Sequence, residues 1–172
     1  RRGVELARPI WEVAVPHLAD IVLVSSYPAD IDFWQANKAL YSAEKIVKRG
    51  GDIILLTPCP EGLSGQQEHV ATLEALAGIP SRRLWHETRR LGLKDYAALT
   101  VSNIAACCSE LAWVTVVSDG LSEHEVGVLG FDRASSVEQA LDRALERQGA
   151  EAGIVVLTHG GESVPVLQPN QD

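Results

Sequence analysis

Three side chains with the chemistry to bind a small polar molecule lie close together in the sequence. Trp34, Gln35 and Lys38 fall in the first turns of a predicted helix that follows an apolar run. A lysine ammonium binds a carboxylate by charge, and a glutamine amide donates to a carboxylate or accepts from a hydroxyl. At about 100° per residue, Lys38 falls opposite the apolar stripe of this helix, and Trp34 and Gln35 flank the stripe. The spacing therefore excludes all three from the core that the stripe forms.

A solvated helix face is the alternative interpretation of these residues. Gln and Lys usually lie in water, and the spacing of Gln35 and Lys38 alone favours that interpretation. Trp34 argues for a contact, because a large aromatic side chain outside the core stripe is a common mark of a binding surface. Gln35 and Lys38 are therefore candidate polar contacts, and Trp34 is a candidate wall of a pocket.

Four apolar runs predict the strands of a parallel sheet. They do not alternate with polar residues, which is typical of strands covered on both faces. The runs occupy residues 20–25, 52–57, 113–118 and 153–158. With helices between them, they predict a single α/β domain over residues 1–172 with right-handed crossovers. The predicted architecture is a three-layer, Rossmann-like fold whose mainly parallel sheet has about four strands.

The best-marked helix is predicted over residues 31–48. Its buried stripe recurs at three- and four-residue steps. The members of the stripe are Phe33, Ala36, Leu40, Ala43 and Val47. Asp30 or Asp32 can cap the first turn, and Gly50 with Gly51 is expected to stop the helix.

Weaker signals mark the other segments. Residues 4–18 are predicted to be helical, and a short strand is expected around Leu84. A helix over residues 136–148 begins with a capping box at Ser135. The tail after Pro165 is expected to be irregular.

The ends of the predicted strands indicate a ligand site at one edge of the sheet. Ligands of open parallel sheets bind beyond the carboxyl ends of the strands, and all four runs end in polar or Gly/Pro-rich loops. His159, in the last loop, is a candidate acid or base, with an ordinary loop histidine as the alternative. Gly160 could approach an anion closely, with a plain turn as the alternative.

Composition and motifs limit the remaining classes of function. The 172 residues are 46% apolar with a formal net charge of −8, which argues against nucleic-acid binding. No apolar run approaches a membrane span, so we expect a soluble, cytoplasmic protein without membrane contact. No phosphate loop, HExxH or CxxC motif occurs, and the histidines lack metal-ligand spacing, so no metal site is predicted. Cys59 has no basic or histidine neighbour that would activate its thiol.

The run YPADIDFWQANKALYSAEKIVKRGGDIILL resembles the C-terminal domain of the nickel-dependent lactate racemase family. That family shows a Tyr-Pro, an acidic residue, an aromatic-Gln-x-x-Lys, a Glu-bearing helix and a Gly-Gly before the second strand. The ending LTHGG, followed by PVL, is also similar to the family's last strand and loop. The resemblance covers most of the chain, is strongest after Asp20, and is loose in the middle.

The resemblance implies a two-domain enzyme that encloses a nickel-pincer nucleotide and inverts C2 of a 2-hydroxy acid by hydride transfer. Gln35 and Lys38 match the family's Gln and Lys that contact substrate or cofactor, and Tyr27 stands at its Tyr-Pro. Trp34 stands where lactate racemases commonly have Tyr, and their later pocket tryptophan has no clean match here. These two departures allow a larger or different 2-hydroxy acid as the substrate.

The resemblance also implies that this chain supplies half of an active site. The family's cofactor-anchoring Lys, nickel-ligating His and proton-shuttling His pair lie in an N-terminal domain. We therefore expect the C-terminal domain of a longer polypeptide, whose partners are that N-terminal domain and a small 2-hydroxy acid. Alone, the chain is expected to carry no catalytic residue, metal or bound cofactor and to be inactive. A free-standing small-molecule-binding or interaction domain without catalysis is the alternative hypothesis.

Overall fold

A five-stranded parallel sheet forms the centre of the structure, a computed structural model that describes residues 1–168. In chain order the elements are α1 (Arg2–Trp11), β1 (Glu12–Val15), β2 (Ala19–Ser25), α2 (Phe33–Ala36), α3 (Lys38–Glu44), β3 (Val47–Leu56), α4 (Gln67–Ala75), α5 (Ser81–Arg90), α6 (Tyr96–Leu111), β4 (Trp113–Val117), α7 (Glu123–Val128), β5 (Asp132–Ala134), α8 (Val137–Gln148), β6 (Ile154–Leu157) and β7 (Val164–Leu167). The order across the main sheet is β5-β4-β3-β2-β6, and β1 pairs with β7 in a separate two-stranded sheet. The predicted parallel α/β architecture is confirmed, with the short β5 as a strand beyond the four predicted.

The register of the main sheet brings the strand ends to one edge. Ser25 pairs with Leu56, Leu56 pairs with Val117, and Val24 pairs with Leu157. The loops that follow β2, β3, β4 and β6 therefore leave the sheet side by side, which is the usual position of a ligand site in this kind of fold.

Helices cover both faces of the sheet and give the three layers. Val22 and Ile53 face a larger core that α3, α4, α6 and α7 complete. Ile21 points to the opposite face, where Ala140 and Ala144 of α8 pack against it. This alternation follows from the period of two along a strand, and strands buried on both faces read as continuous apolar runs.

The helix predicted over residues 31–48 is wrong in its continuity and in its end. It is split at Asn37, whose side-chain amide donates to the carbonyl oxygens of Phe33 and Trp34. The helical segment ends at Glu44, because Val47 already pairs with Ala19 as part of β3. The predicted cap at Asp32 is confirmed, since its Oδ1 accepts the Gln35 N–H at 2.9 Å.

Two other predictions from weak signals are corrected. The expected strand around Leu84 is instead part of α5, whose buried residues recur at helical spacing. Within this helix, Glu87 forms salt bridges with Arg83 and Arg90. The cap of α8 is Ser136 rather than Ser135, because the Ser136 hydroxyl accepts the N–H three residues later.

The ends of the described chain also differ from expectation. Residues 4–18 do not form one helix, because β1 follows α1 directly at Glu12. The tail after Pro165 is not irregular where it is described, since β7 pairs with β1 in parallel register. Residues 169–172 lie outside the described part of the chain.

Candidate functional site

The switch point of the sheet lies between β2 and β6. The strands β3, β4 and β5 lie on one side of β2 and β6 lies on the other, so the strand order reverses between the loops after β2 and β6. Tyr27 and His159 stand on these two loops, with ring centroids 5.2 Å apart at an edge-to-face angle of 76°. Both residues are exposed, and His159 Nδ1 lies 3.0 Å from the Thr158 hydroxyl. The structure thus brings together two of the predicted site residues.

Gly160 lies where these two loops pack against each other. Its N–H donates to the Ser25 carbonyl at 2.9 Å, and its carbonyl accepts the Ser42 hydroxyl at 2.8 Å. A Cβ at this position would lie 2.2 Å from Val24 Cγ2, so only glycine allows the last loop to pack this closely. The N–H of Gly160 is therefore engaged within the chain, as expected of a tightly packed turn.

Gln35 and Lys38 form one polar unit at the start of the α2–α3 segment. The Lys38 ammonium donates to the Gln35 side-chain oxygen at 2.6 Å. Lys38 is exposed and lines a groove of about 420 Å³ with Tyr41, Ser42 and residues 161–164. Because the Gln35 oxygen is occupied, the donors left to this unit are the Gln35 amide N–H groups and two ammonium hydrogens. Such a pair of donors suits a carboxylate or a hydroxyl oxygen.

Trp34 lies on the other side of Gln35, half-buried at the margin of the larger core. Its indole stacks on the imidazole of His69, with ring centroids 4.1 Å apart and 16° between the planes. The Nδ1 of His69 is in turn hydrogen-bonded to the carboxylate of Asp95, which caps α6 through the Ala98 N–H. Trp34, His69 and Asp95 therefore form one fixed cluster, which we call the Trp34 cluster.

The loop after β3 holds the beginning of α2 in place. The N–H groups of Phe33 and Trp34 donate to the carbonyl oxygens of Gly62 and Leu63 at 2.9 and 3.0 Å. Because these backbone hydrogen bonds join the loop after β3 to the start of α2, the position of Gln35 depends on the whole carboxyl edge.

A chain of buried hydroxyl groups lies beneath these loops. The Ser26 hydroxyl donates to Thr57 Oγ1 at 2.8 Å, and Thr57 Oγ1 lies 3.0 Å from Cys59 Sγ. Burial raises the pKa of the Cys59 thiol to about 12, although the hydrogen bond with Thr57 opposes the rise. At neutral pH this thiol is protonated, which is unsuitable for a nucleophile.

Residues 1–168 contain neither a metal-binding cluster nor a membrane-spanning helix. Within that range, no three His, Cys, Asp or Glu side chains lie together in an arrangement that could hold a metal ion. Nor does any helix there combine the length and apolarity that crossing a lipid bilayer requires.

The sequence as a whole identifies the family. A sequence model of the lactate racemase C-terminal domain matches residues 15–166, which is most of the chain. This chain belongs to the lactate racemase C-terminal domain family. The predicted contacts Tyr27, Trp34, Gln35 and Lys38 all fall inside the matched range.

Two solved structures share the fold of this lactate racemase C-terminal domain. Lactate racemase apoprotein from Thermoanaerobacterium thermosaccharolyticum has a TM-score of 0.75 at 22% identity, over 96% of this chain and 39% of that chain. A protein from Thermotoga maritima has a TM-score of 0.67 at 14% identity, over 97% of this chain and 41% of that chain. The chain thus spans about two fifths of the length of the structures it matches. No curated protein sequence matches it.

The sequence of this lactate racemase C-terminal domain did not predict that His69 and Asp95 lie together beside Trp34. Its histidines lack metal-ligand spacing, and no motif pairs His69 with Asp95. Both residues stand at the start of helices that follow strand β3, and such helix starts lie at the carboxyl edge of a parallel sheet. This shared position at the carboxyl edge could have predicted that His69 and Asp95 lie close together. The roles of Gln35, Lys38 and Tyr27 remain predictions.

Proposed function

We propose that this chain forms the substrate-side wall of a lactate-racemase-like enzyme that inverts C2 of a 2-hydroxy acid by hydride transfer. The observation that carries the proposal is the Gln35–Lys38 unit, linked at 2.6 Å and open to solvent at the carboxyl edge of a chain of this family. The second wall of the cleft would be the N-terminal domain of the same polypeptide, and the cofactor a nickel-pincer nucleotide.

The donors of this unit fit the acidic groups of such a cofactor or substrate. The ammonium of Lys38 balances the charge of a carboxylate, and the Gln35 amide donates a second hydrogen bond. When bound, the nickel-pincer nucleotide supplies the acceptor for the hydrogen that leaves C2 as hydride. The metal ligands would come from outside the described residues, which offer no cluster for nickel.

A site that holds the substrate carboxylate suits a reaction that inverts the adjacent carbon, C2. The two enantiomers of a 2-hydroxy acid share the carboxylate and differ only in the arrangement about C2. If Lys38 and Gln35 fix the carboxylate, both enantiomers can present C2 to the same side of the cleft. The rigid indole of Trp34 would limit the space beside Gln35 and help to exclude water.

Single substitutions in the full-length, nickel-loaded protein test this assignment. Lys38→Ala and Gln35→Ala each remove a contact to the substrate, and we expect kcat/KM for 2-hydroxy acid racemisation to fall about 10- to 100-fold. Lys48→Ala is the matched control, because Lys48 lies at the opposite edge of the sheet and pairs with Asp20 at 2.7 Å. Racemisation that is equally fast in Lys38→Ala, Gln35→Ala and Lys48→Ala would remove the unit from the site.

A further inference from the structure

A cavity of about 210 Å³ lies between α4, α6 and α7. Its apolar walls come from two hydrophobic clusters. Leu73, Ala105 and Leu129 belong to the larger core, whereas Leu76 and Ile79 belong to a smaller cluster. The cavity therefore lies at the junction of two groups of packed side chains, and neither group fills it.

The sequence of α6 explains why this space is left. Side chains three and four residues apart share one face of a helix. The face of α6 that lines the cavity carries small side chains, namely those of Ser102, Ala105, Ala106 and Ser109. Side chains of this size leave room that a leucine would occupy, because protein interiors are otherwise closely packed.

One hydroxyl group at this cavity has no partner within the chain. Among residues 1–168, Ser102 Oγ is the one buried side-chain nitrogen or oxygen atom that makes no hydrogen bond. Other hydroxyl groups in these helices bond to a carbonyl oxygen one turn earlier, as Thr72 does at 3.1 Å and Thr88 at 2.8 Å. A buried hydroxyl without a partner is costly, so it requires an explanation.

The other polar side chains that line the cavity are already paired. The Ser109 hydroxyl donates to the Gly130 carbonyl oxygen at 3.3 Å. The Glu110 carboxylate accepts the Ser81 hydroxyl at 2.7 Å and the Ser81 N–H at 2.8 Å, and these hydrogen bonds lower the pKa of Glu110. Glu110 is therefore ionised at neutral pH, and its charge repels an anionic ligand.

We propose that this cavity binds a small neutral molecule, mainly apolar and with one hydroxyl or carbonyl group that pairs with Ser102 Oγ. An apolar cavity of about 150 Å³ is enough to hold benzene, so 210 Å³ admits a single substituted ring. A serine hydroxyl both donates and accepts, so it can pair with either kind of polar group. Such a ligand would satisfy the one unpaired hydroxyl and fill the space between the two clusters.

The cavity is distinct from the proposed substrate contacts. None of the residues Tyr27, Trp34, Gln35 and Lys38 lines it. Asp95 caps α6 at the carboxyl edge, and Ser102 lies about 10 Å further along that helix at a rise of about 1.5 Å per residue. The inference therefore does not depend on the proposed function.

Three variants separate the hydroxyl from the space around it. Ser102→Ala removes the unpaired hydroxyl and keeps the cavity, so it should fold with an unchanged or higher denaturation midpoint. Ala106→Leu places a larger side chain in the cavity. Ser109→Ala is the matched control, because it removes a hydroxyl of the same cavity that is already bonded to Gly130.

The experiment measures the dissociation constants of phenol and toluene, two rings of nearly equal shape, for the full-length protein. Binding is followed through the methyl NMR signals of Leu76 and Ile79, which line the cavity. In Ser102→Ala we expect the constant for phenol to rise about 3- to 10-fold relative to that for toluene. Ser109→Ala should leave this ratio within about twofold of the wild-type ratio, and Ala106→Leu should abolish binding of both probes.

Two results would overturn the inference. One is a set of wild-type methyl signals that phenol does not move. The other is a ratio of phenol to toluene binding that Ser102→Ala leaves unchanged or that Ser109→Ala alters as much. Both results can be obtained even if Ala106→Leu does not fold, and neither involves racemisation, so they leave the proposed function untouched.

Discussion

Single residues at the carboxyl edge owe their properties to what holds them. Lys38 is an exposed lysine of a common kind, but its bond to Gln35 turns two flexible side chains into one donor unit. His69 is likewise an ordinary residue until Trp34 and Asp95 fix its ring. Cys59 shows the opposite effect, because burial leaves it a protonated thiol. The same residue types in open solvent would carry little information about function.

The charge of Asp95 predicts how the stability of the folded chain depends on pH. Because the pKa of Asp95 is lowered in the folded chain, its stabilising effect is complete above the unfolded pKa of about 4 and is lost as the pH falls through the folded value. Asp95→Asn keeps an acceptor for the Ala98 N–H but removes the charge. We expect it to lower the free energy of unfolding by about 1 kcal/mol at pH 7.

Urea denaturation of wild type and Asp95→Asn between pH 7 and pH 3 checks this prediction. The difference in free energy of unfolding should shrink below about pH 4, because the carboxyl of the unfolded wild type binds a proton there while the folded one, with its lowered pKa, is still ionised. Other carboxyl groups contribute equally to both proteins and cancel in the difference. A difference that stays constant over the whole range would show that the charge of Asp95 is not involved.

The loops after β3 and β4 pack closely against each other at Gly120. The N–H of Gly120 donates to the Pro58 carbonyl at 2.9 Å. A Cβ on Gly120 would lie 2.0 Å from the Cys59 carbonyl oxygen, a backbone atom that cannot rotate away. We therefore expect Gly120→Ala to destabilise the chain by about 1–3 kcal/mol.

Gly127 provides the matched control for that substitution. It lies in α7, and a Cβ there would meet nothing within 4 Å. Gly127→Ala should stabilise the chain by about 0.5–1 kcal/mol, because alanine loses less backbone entropy in a helix. Denaturation midpoints that move in the same direction for both variants would argue against the close packing of the loops.

Elements also show how much the sequence can predict. The four central strands were predictable, because burial on both faces leaves long apolar runs such as Ile21 to Val24. The end of α3 was not, because Val47 fits the helical stripe equally well and only its pairing with Ala19 places it in a strand. The side chain of Asn37 breaks the helix through local hydrogen bonds that compete with the helical ones.

The candidate site was likewise only partly predictable from the sequence. The exposure of Lys38 follows from helical periodicity, so the sequence predicts it correctly. The contact between His69 and Asp95 joins α4 to the start of α6, and the stack of His69 on Trp34 joins α4 to α2. These contacts arise from tertiary packing, and no periodicity within a single segment reports on them.

The two ends of the strands differ in how their charged side chains are paired. Lys38 is exposed at the carboxyl edge, whereas the acidic side chains Asp20 and Asp52 at the amino ends are neutralised within the chain. Asp52 is the most buried of these, with 1% of its side chain exposed. Its Oδ1 accepts a hydrogen bond from Arg147 Nε at 3.0 Å, and its Oδ2 accepts one from Gln148 Nε2 at 2.9 Å, both from α8.

This division predicts a large effect far from the site. Arg147→Ala leaves the buried Asp52 carboxylate without its cation, which should cost about 3–5 kcal/mol of the free energy of unfolding. Arg143→Ala is the control, because the hydrogen bond that Arg143 on the same helix donates to the Arg133 carbonyl oxygen is exposed, and its loss should cost less than about 1 kcal/mol. Similar losses in the two variants, measured by chemical denaturation, would show that Asp52 does not depend on Arg147.

The proposed racemisation by hydride transfer would take place in the full-length protein, and the fate of the C2 hydrogen tests it most directly. The full-length, nickel-loaded protein is given a single enantiomer of a 2-hydroxy acid that carries deuterium at C2, in ordinary water. Hydride transfer keeps the deuterium out of contact with solvent protons, so the account predicts that the inverted product retains it. Inverted product that has lost its deuterium to water would mean proton abstraction at C2 and would contradict the account.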